Sequence, residues 1–143
     1  NKDVKTVVFN NESFKKNSAV LNYLRSESID FIVLAGFLLK IPNDIISAYA
    51  NKIVNLHPSL LPKYGGKGMY GKRVHRAVIE AQESESGISI HFVNKEYDEG
   101  TIIFQAKVIV EKGDSVEVLA KKIQQLEHRF FPRVIEQTIS KSL

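Results

Sequence analysis

Asp30 to Ala35 reads Asp-Phe-Ile-Val-Leu-Ala, an uninterrupted apolar run closed by Gly36. A strand with one wet face alternates apolar and polar residues, so a run without alternation suits a strand covered on both faces, as in a parallel sheet. Helical patterns flank it. Val20, Leu21 and Leu24 recur at helical spacing behind a cap at Asn17 or Ser18, and Pro42, Asn43 and Asp44 open a short helix through Tyr49. Lys52 to Asn55 is a second short strand, and the β-branched run Val4 to Phe9 predicts an earlier one, ended by a turn at Asn10-Asn11. Strand, helix, strand, helix, strand is the order of βαβ units with right-handed crossovers.

The pattern changes in the second half. Lys72 to Gln82 reads as a helix, and Ile88, Ile90 and Phe92 then alternate with Ser89, His91 and Val93, a strand with two unlike faces. Thr101 to Val110 is its partner, joined through the polar stretch Asn94 to Gly100. Asp114 and Glu117 form a capping pair for a long helix bearing Val116, Leu119, Ile123, Leu126 and Phe130, which Pro132 is expected to break or kink before a last stretch to about Ser140. The expected fold is α/β, a Rossmann-like, mostly parallel sheet flanked by helices, its C-terminal strands partly antiparallel, with a long C-terminal helix. At 143 residues, residues 1–143 suit a single domain.

Composition narrows the chemistry. No cysteine means no disulfide framework, thiolate nucleophile or thiolate metal ligand. A net charge of +4, spread along the chain, argues against a nucleic-acid module. The longest apolar runs fall well short of the ~20 residues of a membrane span. Asn-Lys-Asp does not open a signal peptide, so a cytoplasmic protein is expected.

Asn55-Leu56-His57-Pro58-Ser59-Leu60-Leu61-Pro62 then concentrates polar chemistry just past a strand. The two prolines have fixed φ and push His57 and Leu61 toward extended backbone, which gives a stiff loop at a strand's carboxyl end, where open α/β sheets keep their sites. No Gly-x-Ser-x-Gly surrounds Ser59, and His57, His75 and His91 lack the spacing of a metal set, so no metal is expected. Gly66-Lys67-Gly68-Met69-Tyr70-Gly71 matches the dinucleotide-loop pattern but does not follow its strand directly, and reads as a surface lid. There remain Asn55, His57 and a carboxylate, best supplied by Asp98. A carboxylate beside His57 raises the imidazole's pKa, and with the Asn55 amide would give two donors aimed at an oxyanion. No activated nucleophile is evident, so the attacking group should come from a substrate.

Leu34-Ala35-Gly36-Phe37, Asn55 to Tyr64, Gly87 to Val93, Asp98-Glu99-Gly100, Gln105-Ala106-Lys107-Val108 and Glu127-His128 run in the order seen in the folate-dependent formyltransferases, which the sequence resembles over nearly its whole length. Gln-Ala-Lys-Val and Glu-His point to the branch that formylates glycinamide ribonucleotide in purine synthesis. The resemblance implies that its amine attacks the formyl carbon of 10-formyltetrahydrofolate, a cosubstrate. Asn55 and His57 would stabilise the oxyanion, and Asp98 would raise the pKa of His57 and order a proton-carrying water. The pterin would lie against Leu34, Leu38, Leu39, Lys40, Ile41, Ile46, Ile53 and Val93, with Asn94 to Asp98 giving backbone contacts. Gln124 and Glu127 match positions that hold the ribonucleotide. Partners would be these small molecules, with no nucleic acid or membrane, in a monomer or homodimer. The family's first strand and its Gly-Ser-Asn-type phosphate loop are absent, so the domain is expected to be N-terminally incomplete, and Gly65 to Val74 is longer than usual. Alternatives are a methionyl-tRNA or sugar-amine formyltransferase, a formyltetrahydrofolate hydrolase, or a noncatalytic nucleotide-binding module built on Gly66 to Gly71.

Overall fold

A computed structural model of the chain describes residues 4–15 and 18–142. The elements in order are α1 (Asn11–Lys15), α2 (Ala19–Ser26), β1 (Ile32–Leu34), α3 (Asn43–Ala48), β2 (Ile53–His57), α4 (Lys72–Glu80), β3 (Glu85–Phe92), β4 (Ile102–Ile109) and α5 (Val116–Ser142). They build one four-stranded sheet in the order β1-β2-β3-β4. β1 and β2 are parallel and joined through α3, while β2–β3 and β3–β4 are antiparallel. The sheet is thus mixed, with helices and a long C-terminal helix around it, the α/β arrangement expected; β1, however, is not covered on both faces as the run Asp30 to Ala35 suggested, since Val33 is 40% exposed.

Three apolar clusters hold it together. Ile41, Ile45, Ile46, Tyr49 and Ile53 close with Val20 and Leu21 on the α2–α3 side. Val78, Ile88, Leu119 and Ile123 join α4, β3 and α5, and Val54, Ile90 and Val134 complete the middle. Ile88 and Ile90 are fully buried on one face of β3, and Ser89 and His91 are as well covered on the other. At ~1.5–3 kcal/mol for each fully buried aliphatic side chain, these clusters dominate the stability.

Five local expectations are corrected. Val4 to Phe9 forms no strand: Val4 and Val8 are 74% and 90% exposed, and β propensity acts only where a neighbouring strand gives side chains something to pack on. Asn10 does not make a plain turn but caps α1, its Oδ1 accepting from the Ser13 N–H at 2.7 Å. Asn17 lies outside the described residues, and Ser18, in the left-handed region at φ 49°, makes no side-chain cap bond to α2. At α5 the cap is Ser115, whose Oγ accepts from Val118 N–H at 3.2 Å. Asp114 instead pairs with Lys122 at 2.7 Å and accepts from Glu111 N–H. Nor does Pro132 end α5, which runs unbroken from Val116 to Ser142.

Candidate active site

Asn55 and His57 stand at the carboxyl end of β2, two residues apart and so on the same face of the strand. Register puts Asn55 opposite His91 and His57 opposite Ser89 on β3. Asp98 comes from the β3–β4 connection, held in the left-handed region at φ 54°, which aspartate tolerates better than most residues. The four side chains meet. His57 Nδ1 lies 3.5 Å from Asp98 Oδ2, His91 Nε2 lies 3.4 Å from Asp98 Oδ1, and Asn55 Nδ2 lies 3.2 Å from His91 Nε2.

Hydrogen bonding orders this group. His91 Nδ1–H donates to the Phe92 carbonyl at 2.9 Å, so Nε2 accepts one N–H of the Asn55 amide. The second amide N–H is left for the cavity. His57 Nε2–H donates to the Tyr64 carbonyl at 2.7 Å, which leaves Nδ1 facing Asp98. Asp98 Oδ2 also accepts the Gly66 N–H at 3.0 Å. Of the two donors expected to aim at an oxyanion, the Asn55 amide has one N–H committed and His57 has its Nε2–H committed.

Electrostatics change the expectation for His57. Burial pushes its pKa below the ordinary 6.5, and His91 pushes the same way; the pulls of Asp98 and the Tyr64 carbonyl are upward but smaller in sum. Asp98 therefore supports the imidazolium without making it the resting form. For Asp98 itself burial is the largest single influence and acts upward. The hydrogen bond from His91, the charge of His57 and the Gly66 N–H together outweigh it and hold the carboxyl below 3.8. The two directions agree, because in the acid range where Asp98 titrates His57 carries its proton.

The loop before Asp98's partners is framed by more than prolines. Ser89 Oγ, fully buried, accepts the Leu61 N–H at 2.9 Å and donates to the Ser59 carbonyl at 2.7 Å. Gln105 Nε2 reaches the same Oγ at 2.8 Å and the Leu61 carbonyl at 3.0 Å, and Ser59 Oγ donates to the Lys63 carbonyl at 2.6 Å. Gly65 is needed for close approach: a Cβ there would lie 2.6 Å from Leu61 Cδ2 and 3.3 Å from Asp98 Cβ.

A cavity of about 670 Å³ opens over these groups. Leu34, Leu38, Leu39, Lys40, Ile41, Val93, Asn94 and Glu127 line it together with Asn55, His57 and Asp98. Three expected contacts do not. Ile46 and Ile53 are closed into the α2–α3 core, 8% and 1% exposed, and Gln124 sits on an exposed face of α5. Phe37 and His75 line the cavity without having been expected to; Tyr97 does so within the expected contacts Asn94 to Asp98, and Lys67, Met69, Tyr70 and Arg73 do so in and beside the glycine loop. His91 was singled out only by its strand face. Glu127 is pushed above the ordinary carboxyl range by burial, partly offset by His128. Among the described residues, no three His, Asp or Glu side chains are grouped to hold a metal ion, and no helix is long and apolar enough to cross a membrane.

The family model described as formyl transferase matches residues 1–135. The chain belongs to that family. Within the formyl transferases it is 45% identical over 118 residues to the chloroplastic phosphoribosylglycinamide formyltransferase of Arabidopsis thaliana, which covers 82% of this chain and 40% of the relative. With the Haemophilus influenzae phosphoribosylglycinamide formyltransferase it shares 39% over 133 residues, 90% of this chain and 60% of the relative. The crystal structure of the Bacillus halodurans phosphoribosylglycinamide formyltransferase superimposes with a TM-score of 0.78 at 37% identity, covering 87% of this chain and 61% of that one. The chain thus spans 40%, 60% and 61% of the length of these relatives.

Proposed function

We propose that this formyl transferase moves the formyl group of 10-formyltetrahydrofolate to the amine of glycinamide ribonucleotide, by direct attack. The observation that carries the reading is one carboxylate, Asp98, set between two imidazoles and beside a strand-borne amide at the floor of a largely apolar cavity. That set can stabilise an oxyanion and move a proton, and it includes no activated side-chain nucleophile.

The amine nitrogen bonds to the formyl carbon while the carbonyl electrons move to oxygen, giving a tetrahedral oxyanion. The free N–H of Asn55 donates to that oxygen. Negative charge building beside His57 draws a proton from water onto Nδ1, where Asp98 stabilises the imidazolium, and that proton returns to water as the carbonyl re-forms. The proton of the attacking ammonium passes through water held by Asp98 to the folate nitrogen. The carbon–nitrogen bond to folate then breaks as the carbonyl re-forms, releasing the formamide and tetrahydrofolate. Leu38 to Ile41 with Val93 and Asn94 would receive the pterin, and Glu127 a ribose hydroxyl.

The test is a spectroscopic assay of tetrahydrofolate release, run on the chain and on a form extended at its amino end. Release that requires glycinamide ribonucleotide supports the reading. Release with water alone, or to a sugar amine or methionyl-tRNA in preference, overturns it.

A further inference from the structure

Tyr64 is an aromatic residue at φ 56°, in the left-handed region that bulky side chains seldom enter. Such a backbone persists only where neighbouring structure holds it, and it clusters where a group must be aimed. Here the aimed group is the Tyr64 carbonyl, 2.7 Å from His57 Nε2. A carbonyl oxygen can only accept, so at this distance Nε2 carries a proton. The neutral imidazole has a single ring proton to place, and burial favours that neutral form in His57. Placed on Nδ1 instead, the proton would face Asp98, 3.5 Å away, and the nitrogen that is to accept a proton would already hold one.

What holds Tyr64 in this turn lies outside the cavity, which neither its side chain nor Glu83 lines. The Tyr64 ring packs against the Val78, Ile88, Leu119 and Ile123 cluster, and its hydroxyl donates to Glu83 Oε1 at 2.9 Å. Glu83 stands just past α4, with its own N–H on the Val78 carbonyl at 3.3 Å. Lys63 Nζ donates to both oxygens of the same carboxylate, at 2.9 and 3.1 Å. The bonds from Lys63 and Tyr64 hold Glu83 below the ordinary glutamate range, so it is a charged acceptor. The Lys63 backbone is fixed separately, by the Ser59 hydroxyl on its carbonyl at 2.6 Å, which leaves the phenol–Glu83 bond as the tie that bears on Tyr64.

We propose that Tyr64 and Glu83 are positioning residues that set the tautomer of His57. The Glu83–phenol bond keeps Tyr64 in its left-handed turn, the Tyr64 carbonyl retains the ring proton on Nε2, and Nδ1 is left as the site that takes up a proton beside Asp98. The consequence for turnover rests on the function proposed above, whereas the tautomer itself does not.

Long-range proton–nitrogen NMR correlation of the isotope-labelled protein, at a pH above the imidazole range, shows which ring nitrogen of His57 is protonated. His57→Ala assigns the signals. The unaltered protein is expected to show Nε2–H. Tyr64→Phe keeps the ring in its cluster but removes the phenol, and Glu83→Ala removes its acceptor. Each should move a measurable share of the proton to Nδ1 and lower kcat for formyl transfer by on the order of tenfold, with KM unchanged. Glu83→Gln, whose amide oxygen still accepts the phenol, should restore both readouts, and Lys63→Met should alter neither. Tyr64→Phe carries the test should Glu83→Ala fail to fold. An Nε2–H that persists in the variants overturns the lock, as does a loss that Glu83→Gln fails to restore or a displaced proton with unchanged turnover. The expected tautomer shifts in a protein that transfers no formyl group to glycinamide ribonucleotide support the lock and overturn the proposed reaction.

Discussion

Two serines on β3 provide a controlled experiment in what a buried hydroxyl is worth. Ser89 and Ser86 are 0% and 3% exposed, on the same strand, yet Ser89 Oγ holds three hydrogen bonds and Ser86 Oγ has no partner. Ser89→Ala leaves the Leu61 N–H without an acceptor and the Ser59 carbonyl without a donor, while Gln105 keeps its bond to the Leu61 carbonyl. At ~1–3 kcal/mol for each of the two buried groups left unsatisfied, the expected loss is about 2–6 kcal/mol. Ser86→Ala deletes a hydroxyl that gains nothing in the fold, so it should be neutral or stabilising by up to ~1 kcal/mol. With a urea slope of ~1–3 kcal/mol/M for a chain of this size, the midpoints of the two variants should differ by about 1–2 M or more. Urea denaturation followed by far-ultraviolet circular dichroism measures it. If the two variants melt together, the loop is not held by the Ser89 hydroxyl and the frame described for His57 fails.

Three further outcomes follow from the site. His57→Ala should lower formyl transfer by ~10²-fold or more in steady-state turnover, and near-normal rates would remove His57 from the chemistry. Because burial sets the folded pKa of His57 and His75 below 6.5, the unfolded chain takes up those protons first. Their contribution is complete above pH 6.5 and is lost as pH falls, at no more than ~1.4 kcal/mol per pH unit for each, so urea midpoints should drop between pH 7.5 and 5.5 and the drop should shrink in His75→Gln. A rise in stability on acidification would contradict this. Gly100→Ala would place a Cβ 1.6 Å from the Phe92 carbonyl oxygen, so it should cost ~2 kcal/mol or more and displace Asp98 two residues upstream. Unaltered stability and turnover would show that the β3–β4 connection yields freely.

Sequence patterns carried the fold where the signal was local and mutually supported. The alternation on β3 and the periodic apolar residues of α5 correspond to elements because burial on one face leaves a visible period; the apolar run at β1 marked a strand but overstated its cover, Val33 being exposed. Val4 to Phe9 misled for the opposite reason, since β-branched residues do not disclose whether a neighbouring strand exists. Asp114 resembled a cap, but a short carboxylate with Lys122 eight residues on found a stronger partner. That Asn55, His57 and Asp98 converge on one cavity was legible from residue type and strand ends. Ile46 and Ile53 were not, because an apolar side chain looks the same whether it faces a cavity or the core behind it. Gln124 shares α5 with Glu127, yet one turn of helix decides which of them faces the cavity. The roles of Ser89 and Gln105 depend on a cross-strand register that no single stretch encodes.

Asp98 accepts the Gly66 N–H as well as facing both imidazoles. Ionisation of the site and closure of the glycine loop therefore share one bond, and thermodynamic reciprocity binds them. Whatever the closed loop adds to the acidity of Asp98, a charged Asp98 must return as loop closure. Protonating this carboxylate therefore weakens the seating of the loop, and any contact that pins the loop makes the carboxylate harder to protonate.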